Sequence, residues 1–169
     1  VQIIVTSRER LKLRSEQLYP VPPLTFAVTA TLAEAGALAA VRLFVRSMQK
    51  VQADFQLTAT NVAAVLRICR LVQGMPLGLE LAAANASGAP LDAIADAIAE
   101  SAAFLSVEWR DLPERQRSMR AVFAWSWHLL SVEEQRILCQ SAVFRDGFTY
   151  AAVQAVTGAT LPLLTRLVD

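Results

Sequence analysis

Apolar side chains recur at three- and four-residue intervals along most of this chain, the spacing that gathers them on one face of an α-helix. Leu38, Val41, Leu43, Phe44 and Met48 predict a helix ending near Val51. Thr29 to Gly36 reads as a separate short helix or loop, with Gly36 as the break. Val62, Val65, Leu66, Cys69 and Val72 share a face of the next helix, for which Thr58 is the candidate N-cap. Gly74 suits the left-handed residue that closes it, and Pro76, whose ring fits a first helical turn, opens another helix through about Ala86. Ala89-Pro90-Leu91-Asp92 begins a further one with Ile94, Ile98 and Ala102 inward, and Phe104 to Pro113 is looser.

The two ends of the chain read differently. Val1-Gln2-Ile3-Ile4-Val5 is a near-continuous β-branched run, which predicts a strand in the buried centre of a parallel sheet whose other strands lie elsewhere. A charged and then proline-punctuated connector follows, through Tyr19-Pro20-Val21-Pro22-Pro23. From Pro113 a helix to about Leu130 carries Met119, Val122, Phe123, Trp125, Trp127 and Leu130, with the aromatics read as mostly core. Ser131-Val132-Glu133-Glu134 matches a capping box and starts a helix from Val132 to about Ala142. Asp146-Gly147 makes a turn, Thr149 caps a helix to about Val156, Thr157-Gly158 breaks it, and Leu161 to Val168 forms one more. Four short helices in this order suggest a winged-helix arrangement without its wing strands. The fold class is therefore mainly α: a core strand and linker over 1–24, a helical lid over 25–109 and a winged-helix-like unit over 110–169.

Composition narrows the possibilities. In 169 residues, 54% are hydrophobic and mean hydropathy is +0.39, enough apolar material for a core and evidence against disorder. Sixteen basic and 15 acidic residues leave a net charge of +1, so the molecule as a whole attracts neither nucleic acid nor an anionic membrane. No apolar run approaches the roughly 18 residues that span a bilayer. Cys69 and Cys139 both fall in helical patterns and read as buried free thiols in a reducing compartment, the cytoplasm by default. With neither an initiator methionine nor a basic-then-apolar leader, the chain reads as an internal piece of a longer protein.

Candidate chemistry is sparse. The phosphate-cradling pattern G-x-x-x-x-G-K-[ST] is absent from the sequence. His128 is the single histidine, with no suitably spaced cysteines to complete a metal site, and no Ser/His/Asp or Cys/His constellation stands out. No catalytic and no metal-ligating residue is assigned. Arg110, Arg115, Arg117 and Arg120 are interleaved with Asp111 and Glu114, which reads as a solvated, internally paired face.

Five segments occur in a telling order: Val5-Thr6-Ser7-Arg8-Glu9-Arg10, Asp54-Phe55, Gly74-Met75-Pro76-Leu77, Leu112-Pro113-Glu114-Arg115-Gln116-Arg117 and Phe144-Arg145-Asp146-Gly147-Phe148. With them the chain resembles the STAND-class signalling ATPases. More narrowly, it resembles the NB-ARC-type module of bacterial transcriptional regulators related to the AfsR and LuxR groups. The resemblance implies a P-loop core that binds ATP or ADP, a helical lid bearing the G-x-P motif, and a winged-helix domain that closes over the nucleotide until exchange permits self-association. It also implies residue roles. Arg8 would be the sensor arginine that reports the terminal phosphate, Pro76 would pack on the adenine, and Gly74 and Leu77 would shape the turn. Chemistry suits both roles, since arginine is a permanently charged fork and proline a rigid apolar ring. The P-loop and the acidic strand for magnesium would lie upstream, so the parent would be a slow ATPase and this chain alone not catalytic. The histidine of the family's M-H-D motif has no counterpart here, for His128 stands in Trp125-Ser126-Trp127-His128.

Two readings of other kinds stand beside it. In one, Pro113 to Asp169 binds DNA directly, with Leu161 to Val168 in the major groove, although Thr165 and Arg166 are nearly all that helix offers to bases. In the other, the chain is a nucleotide-independent structural interaction module.

Overall fold

In the computed structural model, described over residues 3–7, 10–86, 88–107, 113, 117–145 and 147–168, the chain is mainly helical. The helices are α1 (Leu32–Ala37), α2 (Ala39–Val51), α3 (Val62–Leu71), α4 (Pro76–Ala84), α5 (Leu91–Glu100), α6 (Met119–Leu129), α7 (Val132–Ser141), α8 (Tyr150–Thr157) and α9 (Leu161–Val168). A 3₁₀ turn, Ala102–Phe104, follows α5. Two compact units result, one of residues 22–125 and one of residues 1–21 with 126–169.

The periodic apolar positions of residues 22–125 are those that become core. Val41, Phe44 and Met48 of α2, Val65, Ile68 and Cys69 of α3, and Leu79 and Leu81 of α4 are buried together, with Ile94 and Ile98 of α5 closing the cluster. α2 packs chiefly on α4, and α3 chiefly on α5. Phe55, in the loop after α2, meets Phe44 edge-on at 6.5 Å. α4 has little amphipathic character because it is covered on several sides, with Gly78, Leu79, Leu81, Ala82 and Ala83 all buried.

Several local readings shift when tertiary contacts are present. The break before α2 falls at Leu38 (ψ 132°), not at Gly36, which lies inside α1. A capping box that the sequence reading passed over starts α1: Thr31 accepts from the Glu34 amide at 3.4 Å, and Glu34 accepts from the Thr31 amide at 2.8 Å. Thr58 is not the N-cap of α3. Asn61 occupies that position, and its side chain turns back to accept from the Thr58 amide at 2.8 Å. α6 begins at Met119 rather than near Pro113, because Ser118 first pairs with Ser106 in an isolated bridge and its hydroxyl then accepts from the Ala121 amide at 3.0 Å.

Three further expectations are corrected, two of them in the unit of residues 1–21 and 126–169 and one on α6. Ile3, Ile4 and Val5, read as a buried strand, form no strand and are exposed; a strand needs a neighbour for its amides, and among the described residues no strand lies beside them. Phe123 and Trp127 of α6, read as core, are exposed. Cys139, read as buried, is exposed, whereas Cys69 is fully buried. The helix caps, by contrast, fall as the residue types dictate. Ser131 and Glu134 form the reciprocal capping box of α7, Thr149 caps α8, and Gly158, at φ 69°, closes it. Arg166 of α9 meets the buried Glu134 carboxylate at 3.0 Å, tying α9 to the start of α7. Of the other readings, Trp125 falls among side chains that are not described, and Asp146 and Asp169 lie outside the described residues.

Glu134 is held below the ordinary carboxylate value of 4.5 by the Ser131 hydroxyl, then by the Ser131 amide, with Arg166 adding to the effect and burial opposing it. Its share of stability is complete above that value and disappears as pH falls through the lower folded value. Glu134→Gln therefore melts below wild type at pH 7, and the gap closes as a thermal-melt series is taken down from pH 4.5. Burial pushes the Cys69 thiol up to about 12, its own backbone contact opposing weakly. With a chromogenic disulfide at pH 8, Cys139 reacts at once and Cys69 only on unfolding.

Candidate functional site

The G-x-P segment joins α3 to α4 through two consecutive left-handed residues. α3 closes in a Schellman arrangement: the Gly74 amide donates to the Cys69 carbonyl at 3.0 Å, and the Gln73 amide to the Arg70 carbonyl at 2.9 Å. The left-handed closing residue is thus Gln73, at φ 50°, and Gly74, at φ 66°, lies one position further on. Gly74 meets a second requirement. A Cβ there would stand 2.1 Å from the Leu24 carbonyl oxygen and 3.0 Å from the Phe26 ring. Only glycine admits that backbone.

The residue pressing on it belongs to a strap, residues 22–26, that crosses the turn. The Leu24 amide donates to the Gly74 carbonyl at 3.0 Å. One residue on, Thr25 caps a different helix: its carbonyl accepts from the Ala40 amide at 3.1 Å and its hydroxyl from the Ala39 amide at 3.4 Å. α2 needs this, because its own N-cap, Leu38, has no side chain able to accept. The sequence reading missed the strap; the signal was a helix start at Leu38 with no capping residue beside it.

Past the turn, Pro76 is the first residue of α4 and its ring is exposed, while Leu77 is half-buried against the core. Met75, the N-cap, supplies no side-chain acceptor to the first-turn amides. Gly78, one turn into the helix, lies so close to Val72 that an added Cβ would be 2.9 Å from that side chain's Cβ. The segment therefore presents a fixed apolar ring beside the positive end of a helix. Such a surface can take the flat face of a ring system together with an acceptor atom.

Gly74, Pro76 and Leu77 are thus brought together in one turn, and Arg8 lies outside the described residues. Of the arginine cluster, Arg110 and Arg115 also lie outside them. His128 is exposed on α6, and among the described residues no group of three His, Cys, Asp or Glu side chains could hold a metal ion. On α9, the Thr165 hydroxyl donates to the Leu161 carbonyl at 3.0 Å and Arg166 is paired with Glu134. Both groups read as base contacts are therefore engaged within the chain. No helix among the described residues is long and apolar enough to cross a membrane.

Similarity to known proteins extends along the whole chain. It is 35% identical, over 175 aligned positions covering 99% of its length, to proteins of Mycobacterium bovis and Mycobacterium tuberculosis whose names place them provisionally among the HTH-type transcriptional regulators. It is also 31% identical, over 155 positions and 91% of its length, to an uncharacterized protein of Mycobacterium tuberculosis. The chain spans 19% of the length of the former and 37% of the latter. No family model and no solved structure matches it.

Two glycine substitutions separate the strap contact from a general effect of adding a methyl group. Gly74→Ala introduces both a strained φ and the Leu24 overlap, costing about 2–4 kcal/mol. Gly36→Ala, inside α1 with nothing within 4 Å, leaves stability unchanged or raises it by about 0.5–1 kcal/mol. Denaturant unfolding of the two variants gives the comparison.

Proposed function

We propose that this chain is a segment of a transcriptional regulator in which ATP or ADP docks on the Gly74–Leu77 turn and sets the conformation and self-association of the whole. The observation that carries this reading is the turn itself: an exposed Pro76 ring on a backbone fixed by Leu24 on one side and Cys69 on the other, next to uncapped amides of α4. A ring held so firmly loses little freedom when a purine stacks on it. Support for a regulator comes from the names of the mycobacterial relatives, and support for nucleotide from the order of the five segments that includes Arg8 and the G-x-P motif. The phosphate cradle, and any magnesium, would belong to a P-loop core outside this sequence, and hydrolysis in the parent would be slow. Such a protein would work in the cytoplasm. ATP and ADP would act by binding two arrangements of the lid with different affinity, since only a difference in affinity shifts a population.

Pro76→Ala removes the ring but keeps a residue suited to a first helical turn, and Arg8→Ala removes the phosphate sensor. In the regulator that carries this segment, each releases bound nucleotide about tenfold faster or more, the equivalent of about 1.4 kcal/mol. Unaltered nucleotide retention and oligomer state in both variants overturns the assignment.

A second reading, direct DNA binding by the helices beyond Pro113, draws on the HTH-type names of the relatives. Against it stands the engagement of Arg166 by Glu134. Duplex binding that weakens steeply with salt, and is lost in Arg166→Ala, would favour this reading over the nucleotide switch.

A further inference from the structure

Two helices of the 22–125 unit carry matched stripes of opposite charge. On α2, Arg42, Arg46 and Lys50 recur every fourth residue, all exposed. On α5, Asp92, Asp96 and Glu100 do the same, also exposed. Each stripe has a rise of about 6 Å per step and about 12 Å from end to end. Within the molecule they are largely unanswered. Among the described residues Arg42, Arg46, Asp92 and Glu100 make no ion pair; Lys50 reaches Glu80 only at 4.0 Å, and Asp96 meets Arg67 at 2.7 Å.

Such stripes work against the helices that bear them. Like charges four residues apart repel, and each helix holds two such pairs where alternation of sign would have given attraction. Arg42 stands in the first turn of α2 and Glu100 at the last residue of α5, the wrong end of the helix dipole in both cases. A stripe of opposite sign laid alongside would relieve every one of these repulsions. With a net charge of only +1, the chain as a whole does not oppose meeting another copy.

We infer that the basic stripe of α2 docks on the acidic stripe of α5 in a second copy of this chain. Antiparallel alignment sets Arg42 against Glu100, Arg46 against Asp96 and Lys50 against Asp92, so the two charges misplaced for their own dipoles neutralise one another. Asp96 keeps an oxygen for the newcomer while bonded to Arg67. Ala93 and Ala99, exposed on α5, leave room for the long arginine and lysine stems to lie along the helix. The two surfaces differ, so the contact is head-to-tail and the assembly retains one free stripe at each of its ends. The docking needs no nucleotide. Exposed pairs of this kind are individually weak and screened by salt, which makes the association transient and ionic-strength dependent.

Charge reversal tests it on the 169-residue chain. In sedimentation velocity at low salt, wild type gains mass with concentration between about 10 μM and 1 mM and loses that gain near 0.3 M salt. Arg42→Glu with Arg46→Glu leaves Lys50 and makes both stripes net acidic, and Asp92→Lys with Glu100→Lys leaves Asp96 and makes both net basic; each double variant alone associates at least tenfold more weakly. An equimolar mixture of the two regains association through one contact, the intact basic stripe of the second variant on the intact acidic stripe of the first, and so stops at pairs of unlike copies. Far-UV circular dichroism matching wild type verifies that both variants fold, and a variant that does not is replaced by its single-site form, Arg46→Glu or Asp92→Lys. Wild type that stays monomeric at low salt, association untouched by either reversal, or a mixture no heavier than its components overturns the inference. So does wild type that remains monomeric but loses duplex-DNA binding on Arg42→Glu with Arg46→Glu, which would make the basic stripe a phosphate-binding face.

Discussion

The close passage of Leu24 over Gly74 is the contact on which the helical unit of residues 22–125 turns. A carbonyl oxygen occupies the place where any other residue would put its Cβ, and the same two residues share a hydrogen bond of 3.0 Å. The backbone at Gly74 is thereby fixed, and with it the direction in which α4 leaves α3. The next residue of the strap, Thr25, satisfies amides at the start of α2. One short segment thus holds the turn that opens α4 and the terminus of the helix on which α4 packs. Gly78 extends the same logic by letting Val72 lie against the helix backbone.

A surface fixed in this way is suited to recognition. Pro76 has no need of the core for its own burial, yet it cannot move without moving Gly74 and the strap. An exposed ring so held differs from an ordinary surface proline, whose loop would have to be ordered by whatever binds it. The amides beyond it are left uncapped by Met75, so the turn offers a hydrogen-bonding edge beside an apolar face. The proposed nucleotide role uses both properties, and the proposed docking of α2 on α5 uses charges on other helices of the same unit.

The helices beyond residue 126 are organised on another principle. Their termini are settled by neighbours in sequence: Ser131 with Glu134, Thr149, and Gly158. Long-range polar contacts then connect them, Arg166 with Glu134 and Arg136 with the Thr157 carbonyl at 3.2 Å. Apolar coverage is thinner, with Val132, Val143, Phe148 and Leu161 all largely exposed. Local caps and polar contacts between helices therefore carry a greater share of the organisation here, and apolar burial a smaller one, than in the unit of residues 22–125.

What the sequence by itself determined was whatever depends on neighbours within about four residues. The inward faces of α2, α3 and α5, the capping box of α7, the Thr149 cap, the Gly158 stop and the placing of Pro76 at the head of α4 all follow from side-chain chemistry over one helical turn. Tertiary structure decided the rest. Thr25 caps a helix 14 residues away, Gly74 answers to Leu24 across 50 positions of chain, α6 waits for Ser118 to pair with Ser106, and Ile3 to Val5 form no strand because no strand among the described residues lies beside them. Each depends on a backbone group finding a partner through space, and hydrophobic periodicity records which face is buried but not which backbone comes to rest against it.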